Sequence, residues 1–233
     1  MKVLKTLALC ESIAASIRLW RRLEGVEGVD FHLLISKNGK VKGWRYLLGL
    51  VLQMIQFDLR NTLLTLNVIL KSKLRISVKP LHDPKNISWI SKQSFDVGLH
   101  AAGVIYRKKL IDCFSKGILN PHIGILPKYR GRSVMEWSVF EGNPTGISIF
   151  FIDEGIDIGS HIVFRKTIDI SQFKDITQAK NYLFSLDGEM FAEALRMLND
   201  PEYIPIYQKK EEGKRYYVMS KLFEDVVTHL LKS

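Results

Sequence analysis

Val3 to Cys10 is an apolar run broken only by Lys5 and Thr6, and its length predicts a buried first strand. From Glu11 to Leu23 the period becomes helical, with Ile13, Ile17 and Trp20 on one face. Val29 to Ser36 is again strand-like and stops at a Lys-Asn-Gly turn. Strand, helix and strand in that order predict a parallel sheet. Residues 43–74 then read as a helical insertion, two helices long, with Leu47, Leu48, Val51, Met54 and Ile55 forming a broad apolar stripe. Ile76 to Val78 and Phe95 to Leu99 predict short strands, and Lys108 to Lys116 a short helix stopped by Gly117. Ile118-Leu119 is a very short strand that delivers Asn120 and His122 at its carboxyl end, where ligands bind in open α/β sheets.

The second half changes rhythm. Ser133 to Glu141 predicts a helix, while Gly146 to Ile152 and Ile162 to Ile168 are adjacent β-rich runs that predict antiparallel additions to the sheet. Thr177 to Leu198 reads as one amphipathic helix with Leu183, Leu186, Met190, Ala194 and Leu198 turned inward. Beyond Ile204, a charged turn between two Tyr-containing strands predicts a hairpin followed by a short helix. The expected organisation is a catalytic-sized body over residues 1–203 and a short extension over 204–233.

Composition narrows the function classes. A chain of 233 residues, 46% hydrophobic and 25% charged, fits one ordinary α/β body that needs no staples. Its two cysteines, Cys10 and Cys113, cannot form a disulfide framework or a zinc cluster, and are expected to be buried free thiols in a reducing, cytoplasmic compartment. The basic start and the run ending at Cys10 imitate a lipoprotein signal, but Lys5 breaks a run already too short for one. The most apolar region, Tyr46 to Leu70, is interrupted by Gln53, Gln56, Asp58, Arg60 and Asn61, which argues against a transmembrane helix. None of the histidines has metal-ligand spacing, so no metal is expected. The net charge of +10 is spread over short basic clusters, which serves solubility or draws a polyanion.

The chemistry concentrates in one stretch. Asn120-Pro121-His122 is followed by Leu126-Pro127-Lys128-Tyr129-Arg130-Gly131, and later by Glu154-Gly155-Ile156-Asp157-Ile158-Gly159. An amide, an imidazole and a carboxylate are what attack of an amine on a carbonyl carbon requires. Asn120 and His122 stabilise the developing oxyanion, and a carboxylate such as Asp157 holds the imidazole and takes up the proton lost by the amine. Each residue alone has a bland explanation, since an Asp between glycines is usually a turn former. The ordered set is more specific than its parts.

That set, with Thr145-Gly146-Ile147-Ser148-Ile149 between its two ends, resembles the signature of the folate-dependent formyltransferases, among them methionyl-tRNA formyltransferase, glycinamide ribonucleotide formyltransferase and the amino-sugar N-formyltransferases. The match runs from about Asp96 to Ile170. The resemblance implies a Rossmann-like α/β formyltransferase fold, with a mixed, mostly parallel sheet flanked by helices. It implies N10-formyltetrahydrofolate as co-substrate and Asn120, His122 and Asp157 in the catalytic positions. It further implies a pterin pocket lined by Gly103, Val104 and Ile105 and by Ile152, Glu154 and Gly155.

Lys128, Arg130 and Arg132 lie beside the motif and are candidates to meet an acidic acceptor. The family pattern has Pro and Ser where Ile123 and Gly124 stand here, and often His where Phe150 stands. Cys10-Glu11-Ser12 offers no glycine-rich phosphate cradle, against the glycinamide ribonucleotide enzyme. Little chain follows residue 203 to form the second domain of a tRNA enzyme. The expected acceptor is a primary amine on a nucleotide-linked sugar, with a homodimer compatible. A tRNA-directed enzyme and a folate-binding module without catalysis are the alternatives.

Overall fold

The computed structural model describes residues 3–36, 73–153, 161–209 and 211–232. The chain separates into two compact units, Met1–Ile118 and Leu119–Ser233.

In the first unit, β1 (Leu4–Cys10), β2 (Val29–Ser36), β3 (Lys73–Ser77) and β4 (Val97–Ala101) lie in the order β3-β2-β1-β4, and their pairings are all parallel. Leu7, Ala8, Leu9, Leu33, Leu34, Val97 and Leu99 are completely buried. Such continuous apolar runs are characteristic of parallel strands covered on both faces. The crossover from β1 to β2 is α1 (Ile13–Leu23), whose first turn is capped by Ser12 Oγ accepting from Ala15 N at 3.1 Å. Its buried side is Ser16, Leu19, Trp20 and Leu23, so the packed stripe is rotated from the expected one and Ile13 and Ile17 are only half-buried. The helix α2 (Pro84–Gln93) begins with Asp83 capping Lys85 N and ends at Ser94 in the left-handed region. Gly98 is required inside β4, because a Cβ there would stand 2.9 Å from Ile118 Cγ1 and 3.1 Å from the Phe114 ring.

The expected helix 108–116 shrinks to α3 (Lys108–Ile111), and Gly117, at φ +105°, opens the next strand instead of merely ending a helix. The helical insertion over 43–74 falls mostly outside the described residues; at its end, Lys73 and Leu74 are already in β3.

In the second unit the main sheet is antiparallel. Its strands β5 (Gly117–His122), β7 (Gly146–Phe151), β8 (His161–Thr167) and β9 (Ile206–Tyr207) follow one another in the order β5-β7-β8-β9. The boundary between the units falls inside β5. The expected single helix 177–198 is two, α5 (Ile176–Ser185) and α6 (Asp187–Asn199), which meet at Leu186. The break lets Leu183 on one helix and Met190, Phe191, Ala194 and Leu195 on the other all reach the core. Between β5 and β7 lie β6 (Tyr129–Gly131) and α4 (Val134–Phe140); β10 (Lys214–Tyr216) and α7 (Lys221–Leu230) close the chain.

The C-terminal strands do not form the expected hairpin with each other. β9 extends the sheet beside β8, whereas β10 pairs in parallel with β6. Gly213, at φ +100°, permits this, since any side chain there would run into the Pro127 carbonyl. No helix among the described residues is long and apolar enough to cross a membrane.

The two cysteines differ. Cys10 is buried, and burial pushes its thiol up to about 12. Cys113 is only half-buried, contrary to expectation, and its Sγ donates to Lys109 O at 3.2 Å. The thiolate is the reactive form. Mass-resolved alkylation of the folded protein will therefore label Cys113 before Cys10, and equal rates at the two positions would contradict this packing.

Candidate active site

Antiparallel pairing of β5 with β7 sets Asn120 opposite Phe150 and His122 opposite Ser148. Residues two apart on a strand share a face. Asn120, His122, Phe150 and Ser148 therefore line one side of this sheet, over an apolar floor of Leu126, Phe150 and Ile162. Asn120 is half-buried and His122 is buried. The His122 ring stands edge-on to Phe150, with centroids 6.3 Å apart, so the aromatic residue at this position packs against the imidazole.

One hydrogen bond defines the chemistry of the ring. His122 Nε2 lies 2.8 Å from the carbonyl oxygen of Tyr129. A carbonyl can only accept, so Nε2 carries a hydrogen.

The loop that supplies this carbonyl is tied down along its length. Ser148 Oγ donates to Gly124 O at 2.6 Å and accepts from Leu126 N at 3.0 Å. Arg165 Nη1 donates to Leu126 O at 2.8 Å. Gly124 fits where it does for lack of a side chain: a Cβ would stand 2.8 Å from His122 Nε2 and 2.9 Å from Val134 Cγ2. The loop that carries Ile123 and Gly124 is thus held from β7 and β8.

Tyr129 is 1% exposed, and its hydroxyl donates to Glu141 Oε2 at 2.8 Å. Tyr216, on β10, donates to Glu141 Oε1 at 2.8 Å, and the two tyrosine rings stack at 5.2 Å. Glu141 is exposed, and only slight desolvation works against its ionisation. The hydrogen bonds from Tyr216 and Tyr129, with Lys214 and Lys128 nearby, outweigh it and hold the carboxyl below its usual range. Trp137 packs on Tyr216 at 5.6 Å and donates its indole N–H to Tyr217 O at 2.9 Å.

The three basic residues beside the motif have different fates. Arg130 is 5% exposed, and its Nη2 donates to Lys209 O at 2.6 Å, so it secures the segment before β10 instead of standing open to an acceptor. Lys128 is exposed and donates to Asn143 Oδ1 at 2.7 Å. Arg132 is exposed, with its backbone N–H bonded to Tyr216 O.

In the first unit, Gly103, Val104 and Ile105 follow β4 at its carboxyl end. Ile105 is 84% exposed, and a Cβ on Gly103 would meet only Glu11 Oε2, at 3.6 Å. Gly103 and Ile105 are exposed and Val104 is half-buried. His100 Nδ1 and Tyr106 Oη are 2.9 Å apart, and burial lowers the pKa of His100. Ile152 is half-buried just after β7, while Glu154, Gly155 and Asp157 lie outside the described residues.

Sequence reasoning missed Ser148, Glu141 and Tyr216. Ser148 lies inside the Thr145–Ile149 motif, two residues from Gly146, which is its only local signal; nothing local marks the other two.

Burial, followed by the Glu141 contact, pushes the Tyr216 hydroxyl from 10.0 up to about 12. A raised folded-state pKa contributes stability below the unfolded value that is lost as pH rises through the folded one. Between pH 10 and 12 the protein will lose stability more steeply than a Tyr216→Phe variant in parallel unfolding titrations. Superimposable slopes would contradict the clamp.

The family model for formyl transferase matches residues 27–195. Methionyl-tRNA formyltransferase of Caldanaerobacter subterraneus subsp. tengcongensis is 30% identical over 122 residues, 52% of this chain and 39% of that protein. The enzyme of the same name from Elusimicrobium minutum is 29% identical over 157 residues, 65% of this chain and 46% of that one. The chain thus spans less than half the length of these curated relatives. Among solved structures, a 4-N formyltransferase from Francisella tularensis superposes with a TM-score of 0.62 at 14% identity, covering 99% of this chain and 88% of that one. A sugar N-formyltransferase from Shewanella sp FDAARGOS_354 gives a TM-score of 0.59 at 16% identity, with 98% and 88% covered. With most of the chain inside the family match, and with the fold in agreement, this protein belongs to the formyl transferase family.

Proposed function

We propose that the protein transfers a formyl group from N10-formyltetrahydrofolate to a primary amine, with Asn120, His122 and Asp157 as its catalytic residues. The observation that carries this is the pairing of a half-buried amide and a fixed imidazole on one face of β5, over an apolar floor. The donor supplies an electrophilic formyl carbon. The chain supplies the rest. Asn120 donates an amide N–H to the oxygen that becomes negative, and His122 donates from Nδ1 when protonated. Two such donors, preorganised away from water, stabilise that charge without reorganisation. Asp157 takes up the proton that the attacking amine loses, and the departing N10 takes a proton in turn. Gly103, Val104 and Ile105, with Ile152, Glu154 and Gly155, hold the folate; the openness at Gly103 favours a flat heterocycle there.

We infer that the amine belongs to a nucleotide-linked amino sugar. Two features support this acceptor. The Cys10-Glu11-Ser12 loop carries a carboxylate, and Ser12 is engaged in capping α1, which disfavours a phosphate at that turn. A structural relative described as a sugar N-formyltransferase from Shewanella sp FDAARGOS_354 also spans nearly all of this chain. Of the three basic residues beside the motif, Lys128 and Arg132 are exposed and can meet an anionic acceptor. Arg130 acts in the scaffold. The +10 charge and the methionyl-tRNA relatives favour a second reading, with tRNA as acceptor. Steeply salt-dependent tRNA binding would mark that case.

Incubation with the formyl donor and a panel of nucleotide-linked amino sugars, read by mass, will reveal one acceptor that gains a formyl group. Asn120→Ala, His122→Ala and Asp157→Ala will each lower turnover by about 100-fold or more without loss of fold. Full activity in all three variants would end the proposal.

A further inference from the structure

We propose that Glu141 is a positioning residue for His122, acting through Tyr129, and that strand β10 completes the link. The family match ends at residue 195, whereas Tyr216 and β10 lie beyond it. The connection is short and continuous. Tyr129 contributes both the carbonyl that takes the His122 Nε2 hydrogen, at 2.8 Å, and the hydroxyl that Glu141 holds, at 2.8 Å. A tyrosine ring is rigid, so fixing the hydroxyl and the ring plane restrains the backbone that bears them. Tyr216 restrains both, by stacking at 5.2 Å and by bonding the same carboxylate through Oε1 and Oε2 at 2.8 and 3.0 Å.

The backbone reinforces the side chains. Tyr129, Arg130 and Gly131 pair with Lys214, Arg215 and Tyr216, and Arg132 N donates to Tyr216 O at 3.1 Å. Gly131, at φ +99°, is needed because a side chain there would strike the Tyr216 carbonyl. The groups facing the Glu141 carboxylate are Tyr129, Tyr216, Lys128 and Lys214. All of them sit on the β6 loop or on β10, and none belongs to β5. Among the described residues, Glu141 reaches His122 by way of the Tyr129 main chain.

The test uses the full chain and two readouts, well below the melting temperature of each variant. The first needs no donor: the ring signals and titration midpoint of His122 by nuclear magnetic resonance, assigned with His122→Gln. Glu141→Ala will shift both relative to wild type. Glu141→Gln, which keeps one acceptor, will restore them most of the way. Tyr216→Phe will fall between, since Tyr129 keeps its acceptor.

The second readout rests on the formyl-transfer reading. Glu141→Ala will lower kcat by about 10- to 100-fold, the scale of a small misplacement at a reacting centre, while the donor KM stays at its wild-type value. Wild-type His122 signals in a folded Glu141→Ala protein would overturn the proposal. So would a loss of activity that appears wholly in KM. Altered His122 signals in a chain whose wild type transfers no formyl group would support the positioning role and count only against formyl transfer.

Discussion

The hydrogen bond from His122 Nε2 to the Tyr129 carbonyl is the constraint on which the rest of this site depends. It commits one nitrogen of a buried imidazole to the main chain. Several tethers exist to hold that carbonyl still. Ser148 and Arg165 grip the loop from one side, and Glu141, Tyr216 and the parallel pairing of β10 grip it from the other. The energetic logic favours a fixed loop. An unsatisfied buried hydroxyl or carbonyl costs about as much as several surface contacts can return, so each tether makes the alternatives expensive.

The two units are built from different physics. The first is a parallel sheet whose central strands β1 and β4 are largely buried, and polar groups such as Glu11, His100 and Tyr106 collect toward the carboxyl ends of those strands. The main sheet of the second is antiparallel, and one face of β5 and β7 carries polar side chains over an apolar floor. Glycine is indispensable at few points. Gly124 gives way to the imidazole, while Gly131 and Gly213 let β10 approach the loop main chain.

Much of this was legible in the sequence where the signal is local. The parallel start, the antiparallel β7 and β8, and the placement of Asn120 and His122 on one strand follow from residue period and from the motif. Three things were not legible, each for a physical reason. A period-3.6 pattern continues through Leu186, so the break between α5 and α6 leaves no mark. Two Tyr-containing strands around a charged turn look like a hairpin, and only the long-range partner β6 redirects β10. Arg130 in a basic loop looks like a ligand for an anion; its burial against Lys209 O depends on where the C-terminal segment returns. The same long-range return explains why Glu141 and Tyr216 carried no signal.

The most direct measurement is the protonation state of the two His122 ring nitrogens in the wild-type protein, read from long-range nitrogen–proton correlations with the ring in its neutral form. The account predicts a hydrogen on Nε2 and none on Nδ1. A neutral ring carrying its hydrogen on Nδ1 would contradict it, because the Tyr129 carbonyl could then not be its partner.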